Sequence, residues 1–393
     1  MIPLIKNTFI NETETKQALA EFILKTEKFS MGEKCAEFER EFAKKQGRKD
    51  AILFNSGGSC NLAMLQALKN LGRLKDGDKV GFSAVTWSTN VMPIIQLGMV
   101  PVPIDCEIDT LNISLEKLLE RLKEVELQAF FITNVLGFAG DIDEVEKYCI
   151  KNNIIALEDN CESLGTELHA GRTGNFSTAS SFSFFVAHHM STIEGGMVCT
   201  DDEEMAEMLR ITRANGWDRN LNSEQQTRLR TQHKVPSGLY AKYAFYDLGY
   251  NLRPTEITGF IGLHQLQYID STIKNREKNY LRVEEAIKKN SDFIVVKHHN
   301  LKQRSPFAIP FICKTPELFE KYTQIFMDKD IEIRPMIAGN MQRQAFYKKY
   351  VKEMYDLPNS DFLHDNSFYC GNYPEMTSHD IETIISCITK EHN

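Results

Sequence analysis

No stretch of this chain approaches the ~20 consecutive apolar residues needed to cross a bilayer. Its opening run, Met1-Ile2-Pro3-Leu4-Ile5-Lys6-Asn7, lacks the apolar length of a secretory signal. Basic charge is in short supply: 46 Lys and Arg stand against 54 Asp and Glu, a net charge of −8. A nucleic-acid partner would call for a basic face, so none is expected. Paired cysteines are also missing. The nine cysteines are scattered and odd in number, which speaks against a disulfide framework or a zinc ribbon. Repeats and low-complexity linkers are absent. The expectation left standing is a cytoplasmic globular protein with neither membrane nor nucleic acid as partner, in which local basic residues hold phosphate or diphosphate.

What is present suits such a protein. A hydrophobic content of 42% with 25% charged residues is ordinary for a packed domain, and 393 residues suit two unequal lobes. Residues 12–47 read as two amphipathic helices, the second with Phe38 and Phe42 one turn apart. Strands are then expected at 51–54, 79–82, 100–104, 129–133, 154–157, 181–185 and 197–200. Helices fall between them, from 59, near 90–98, over 143–151 and up to 213. This alternation predicts a mostly parallel sheet covered on both faces, with ligands at the carboxyl ends of the strands. Polar clusters follow Phe54, Leu157 and Phe185, where that rule puts them. A long helix over about 270–289 opens a smaller lobe with short strands near 293–296, 306–312 and 331–335. The expected division is 1–265 and 266–393.

Three clusters carry chemistry. Asn55-Ser56-Gly57-Gly58-Ser59-Cys60-Asn61 is a strand-to-helix turn whose glycines let backbone amides approach an anion; it lacks the lysine of a nucleotide P-loop. Glu158-Asp159-Asn160-Cys161-Glu162 puts carboxylates at a buried strand end, where one can pair with a protonated pyridine nitrogen; an ordinary helix cap is the competing explanation. Ser181 to Gly196 runs from an apolar strand through His188 and His189 to Glu194-Gly195-Gly196. Adjacent residues of an extended chain face opposite ways, and no third ligand has suitable spacing, so no metal site is expected.

Taken together, the clusters resemble the DegT/DnrJ/EryC1/StrS sugar aminotransferases, a fold-type I, aspartate-aminotransferase-like family, over nearly the full length. The matching stretches are 32–47, 55–61, 158–165, 181–196 and 249–267. The resemblance implies an α/β fold with a large cofactor-binding domain and a smaller C-terminal α+β domain. The sequence departs from the family at His188, where aminotransferases carry the lysine that tethers pyridoxal phosphate. Ile193 also stands where the family usually has Gly. Histidine at that position is similar to the family's sugar 3-dehydratase branch. So are Arg334-Pro335-Met336-Ile337-Ala338-Gly339-Asn340 with Arg343-Gln344, His364, and Phe368-Tyr369-Cys370-Gly371-Asn372-Tyr373-Pro374. A related branch uses an iron–sulfur cluster, but no cysteine lies between Cys199 and Cys313; lacking four thiolates there, no cluster is expected.

The resemblance further implies residue roles and a reaction. Gly57, Gly58 and Ser183 would bind the cofactor phosphate, completed by Asn251 of a second subunit in a homodimer with shared sites. Trp87 would stack on the pyridine ring and Asp159 would meet its nitrogen. Glu162 would lie by the ring hydroxyl or orient His188. Arg219, Arg334, Asn340 and Arg343 would serve the substrate. The implied cofactor is pyridoxal/pyridoxamine phosphate held without a covalent bond, with glutamate as amino donor. His188 would act as the base in removing the C3 hydroxyl of a nucleotide-linked 4-keto-6-deoxy sugar, as in deoxysugar biosynthesis for lipopolysaccharide O-antigen. GDP-4-keto-6-deoxy-D-mannose is the favoured substrate, with CDP and dTDP left open. The alternatives are a sugar aminotransferase with another base or a replaced lysine, and a non-catalytic binding protein on the same fold.

Overall fold

Residues 1–236 and 238–389 are described in a computed structural model. Seven strands form one sheet: β1 (Asp50–Phe54), β2 (Lys79–Ser83), β3 (Val100–Ile104), β4 (Ala129–Thr133), β5 (Ile155–Asp159), β6 (Ala179–Ser183) and β7 (Gly196–Thr200). Their order is β1-β7-β6-β5-β4-β2-β3. Only β7 runs against the rest, pairing antiparallel with both β1 and β6. The other neighbours pair in parallel. The expectation of a mostly parallel sheet is met, and six carboxyl ends share one edge.

The strands are buried along nearly their whole length, as a sheet covered on both faces requires, with β5 and β6 carrying buried polar residues. Helix Gly57–Asn70 covers one face with Ala63, Met64, Ala67 and Leu68, all fully buried. On another side, helix Glu33–Gln46 inserts Phe38 and Phe42 against Phe184, each ring 5.3 Å away. The predicted i, i+4 pair is therefore a core seam.

The smaller lobe carries a four-stranded sheet in which Ser367–Gly371 is an inner strand between Ala308–Cys313 and Ile333–Pro335. This inner strand is not among the strands expected from the sequence pattern. The long helix is present as Ile269–Ile287. Two features blur the expected division into 1–265 and 266–393. Ile2 bridges to Ile331, so the first residues lie with the smaller lobe. One apolar cluster also runs from Val102 and Phe130 through to Phe311 and Ile381. Among the described residues no helix is long and apolar enough to cross a membrane.

Candidate active site

A cavity of about 350 Å³ opens at the common carboxyl edge of the sheet, within the ~300–1,000 Å³ range of small-molecule sites. Ser56, Gly57 and Gly58 after β1, Thr133 of β4, Asp159 of β5 and Ser183 of β6 line it, with Trp87 and His188 from connecting segments. Parallel strands end together, so residues distant in sequence arrive at one rim.

The glycine turn is already helix. Ser56 is the cap and its Oγ accepts from the Ser59 amide at 3.1 Å, so the helix starts at Gly57, two residues earlier than expected. The first amides of a helix have no partner within it and carry the positive end of its dipole. Side chains have no room here. A Cβ on Gly57 would lie 2.7 Å from Ser183 Cβ, and one on Gly58 3.0 Å from Thr89 Cγ2. The result is a backbone cradle beside the Ser183 hydroxyl, chemically suited to a phosphate.

Asp159 is buried at the end of β5 and locked by three donors. Asn61 Nδ2 and Asn90 Nδ2 each donate to Oδ2 at 2.8 Å, and the Cys161 amide donates to Oδ1 at 2.9 Å. Asn61 and Asn90 were quoted in the sequence motifs but given no role; nothing local in the sequence signals that they clamp this carboxylate. Asn90 Oδ1 is buried without a hydrogen-bond partner, a polar group awaiting a ligand. Trp87 also lines the cavity, yet it is 56% exposed. An exposed indole at a cavity mouth offers a flat stacking surface.

The adjacent histidines diverge, but in a turn closed by the His188 amide donating to the Phe185 carbonyl at 2.9 Å rather than in the extended chain expected. His189 turns inward and its Nε2 lies 2.9 Å from the Ser305 carbonyl. His188 lines the cavity, its ring 5.2 Å from that of Phe307 at 35°. Its Nδ1 is buried without a hydrogen bond. Burial pushes the imidazole down to about 4, against an upward pull from Asp159 and with a further downward push from Arg276. The ring is therefore neutral at pH 7 and able to accept a proton. Ile193, in the place of the family's glycine, adopts φ 72°, a left-handed conformation costly for a β-branched residue.

Glu162 lines the cavity and accepts from the Leu136 amide at 2.9 Å. Burial, reinforced by Asp159, pushes its carboxyl up to about 8. It thus keeps its proton at neutral pH and can donate to an oxygen in the cavity. Linkage gives the sign of its effect on stability. An unfolded glutamate ionises near 4.5, so from there to about pH 8 the folded state holds the extra proton and stability falls as pH rises. Glu162→Gln is expected to remove that loss. Its urea midpoint should rise relative to the parent chain, both cofactor-free, between pH 5 and pH 8. A difference that does not change over that window would refute the neutral carboxyl.

The residues expected at the substrate are not brought to this cavity. Arg334 is exposed and pairs with Glu332, and Arg343 pairs with Asp365 at 2.8 Å. Asn340 is fully buried; its Oδ1 accepts from the Gln342 amide at 2.9 Å and its Nδ2 donates to Asp361 at 3.0 Å. Arg219 lies 5.2 Å over the Trp217 ring, and Asn251 is exposed, holding Arg253 at 3.1 Å. In their stead, Phe307, Ile337 and Tyr369 of the smaller lobe close the cavity, together with Thr89, Cys161 and Glu194. Sequence reasoning gave none of these a role: lobe packing places Phe307, Ile337 and Tyr369, while Thr89, Cys161 and Glu194 lie inside motifs whose other residues drew the assignments. Among the described residues no three His, Cys, Asp or Glu side chains converge as metal ligands would.

The site's likeness to known proteins is extensive. A model of the DegT/DnrJ/EryC1/StrS aminotransferase family matches residues 10–389. GDP-4-keto-6-deoxy-D-mannose 3-dehydratase of Escherichia coli O55:H7 is 34% identical over 357 residues, covering 89% of this chain and 90% of that one. Among solved structures, a histidine-to-asparagine mutant of GDP-4-keto-6-deoxymannose-3-dehydratase with bound GDP-perosamine superposes with a TM-score of 0.90 at 30% identity. It covers 99% of this chain and 100% of its own. The same enzyme with a trapped PLP-glutamate geminal diamine gives 0.88 at 31%, covering 99% and 100%. With its sheet order, its glycine cradle and its clamped Asp159, the chain belongs to the DegT/DnrJ/EryC1/StrS aminotransferase family.

Proposed function

We propose that this chain removes the C3 hydroxyl of a nucleotide-linked 4-keto-6-deoxy sugar, GDP-4-keto-6-deoxy-D-mannose, using pyridoxal/pyridoxamine phosphate that it holds without a covalent bond. One observation carries the reading: His188 stands in the cavity wall at the family's lysine position, and no lysine is among the described residues lining that cavity. The cradle, the orphaned Asn90 oxygen and the clamped carboxylate fit the cofactor: Gly57, Gly58 and Ser183 for its phosphate, Asp159 for its ring nitrogen, Trp87 for its face. When bound, the ring supplies an electron sink and, in its amine form, the nitrogen that engages the sugar ketone. Glutamate, seen on PLP in the solved relative, is the donor that restores that form.

The chain's own residues do the rest. Asp159, held in place by Asn61, Asn90 and the Cys161 amide, would pair with the ring nitrogen. Neutral His188 takes a proton at the unpartnered Nδ1 and, unlike lysine, leaves no lasting bond to an aldehyde. Glu162 holds a proton for the ring hydroxyl. Phe307 and Phe185 give the imidazole apolar neighbours, their rings 5.2 and 6.3 Å from it.

Arg219 and Asn251 belong to one surface. Ala214 bridges to Asn251 and Trp217 to Phe245, beside exposed Leu239, Tyr240, Tyr243, Phe245 and Leu248. An apolar patch of that kind marks an association face. Such a face supports a homodimer, in which Asn251 and Arg219 would serve the neighbour's phosphate and diphosphate. Arg334, Asn340 and Arg343 serve the substrate only if their present partners release them.

Borohydride treatment of the PLP-loaded protein tests the non-covalent hold. The chain's mass is expected to stay unchanged. An added mass mapped to a lysine would overturn the reading.

A further inference from the structure

Behind His188, on the long helix Ile269–Ile287, lies an arginine that the reaction as described does not use. Arg276 is buried, 4% exposed, and does not line the cavity. Its guanidinium is spread over three carbonyls from separate parts of the chain. Nη1 donates to Phe307 at 2.7 Å and to Asn372, and Nη2 donates to His188 at 3.4 Å. Among the described residues no carboxylate lies in ion-pair reach of it. Asn372 ties the same junction from the other side, its Nδ2 donating to the Arg276 carbonyl at 3.1 Å and to that of Pro306 at 2.9 Å.

The two anchored cavity residues are in contact with each other: the Phe307 ring is the one packed on the His188 imidazole. We infer that Arg276 is a positioning residue for the reaction, fixing through one planar fork both the main chain that carries His188 and the aromatic ring that backs its imidazole. A planar guanidinium suits this task because its donors diverge in fixed directions, whereas an ammonium presents a single point.

The charge matters alongside the geometry. Burial lowers Arg276 only to about 10, so it stays cationic and adds to the burial that chiefly disfavours a positive charge on His188 and His189. The groups facing this pair are Asp159 from the sheet, Glu162, Glu194 and Tyr369 around the cavity, and Glu375 beside Arg276. Of these, Asp159 opposes the arginine at His188.

The inference rests on the functional reading above, and its test separates the two. In the PLP-loaded full chain, Arg276→Met is expected to lower kcat about 100-fold, the effect of roughly 1 Å of misplacement at a reacting group, with KM little changed. In a His188→Asn background the same change is expected to alter the residual rate by less than about twofold, since coupled residues are not additive. Arg276→Lys keeps the charge without the fork. It is expected to recover part of the rate and to leave the acid limb of kcat/KM in place, whereas Arg276→Met moves that limb to higher pH. Independently of activity, the imidazole NMR signal missing from His188→Asn should titrate at higher pH in cofactor-free Arg276→Met than in the parent chain. Equal losses in both backgrounds, or an unmoved His188 titration, would overturn the role. Should Arg276→Met not fold, a full rate in Arg276→Lys would overturn it instead. A parent chain without dehydratase activity removes the functional reading and leaves the NMR arm standing. An active parent indifferent to Arg276→Met removes Arg276 alone.

Discussion

His188→Asn is expected to cost about 10³ in turnover, in the middle of the ~10²–10⁴ range for a positioned acid–base group, while the cofactor still binds. The side chain lies against Phe307 and Phe185, and asparagine fits that space without a like ability to take a proton. The cofactor's other holds are untouched: the Gly57–Gly58 cradle, Ser183 and the clamped Asp159. Trp87, one of two tryptophans, reports binding by fluorescence quenching. The expected result is a quench titration close to that of the parent chain beside a collapsed kcat. Retained turnover would take His188 out of the chemistry.

Asp159→Asn is expected to do the reverse, striking binding and rate together. A hydrogen bond to a charged group contributes about 1.5–3 kcal/mol, so losing the pairing to a protonated ring nitrogen should weaken PLP binding by about 10–100-fold. The loss extends further. Asn61 and Asn90 both present N–H groups to Oδ2 at 2.8 Å, so an amide nitrogen placed there would face two donors, and the alternative flip would face the Cys161 amide. If the Asp159→Asn chain bound PLP and turned over normally, the carboxylate would be only a structural clamp.

The edge that builds this site was largely legible. Polar clusters after Phe54, Leu157 and Phe185 were expected to meet at the strands' carboxyl ends, and they do. Strand limits were misjudged where burial contradicts side-chain type. β5 continues through Glu158 and Asp159 because Glu158, fully buried, accepts from the Gly174 amide at 2.7 Å and the Phe176 amide at 2.9 Å. Those partners lie in a later loop and leave no trace near Glu158 in the sequence. Likewise β6 is Ala179–Ser183, not 181–185. Its serines are satisfied internally, Ser180 Oγ by the Gly174 carbonyl at 2.9 Å and Ser181 Oγ by Asn61 at 2.6 Å. Phe184 serves the helix seam.

The substrate side was less legible. An arginine in a motif does not disclose whether a carboxylate already holds it, and Asp361 and Asp365 hold Arg343 from a separate helix further along the chain. Asn340 reads as a ligand, yet its amide organises the turn around it. Phe307 and Tyr369 face the cavity only because two lobes share one core. No local pattern encodes that.

The fate of the donor nitrogen tests the account most directly. With ¹⁵N-glutamate, PLP and GDP-4-keto-6-deoxy-D-mannose, a chain whose base is an untethered imidazole should release the label as ammonia beside a nitrogen-free 3-deoxy ketone. Label retained on the sugar, with the C3 hydroxyl still in place, would show an aminotransferase and contradict the reading.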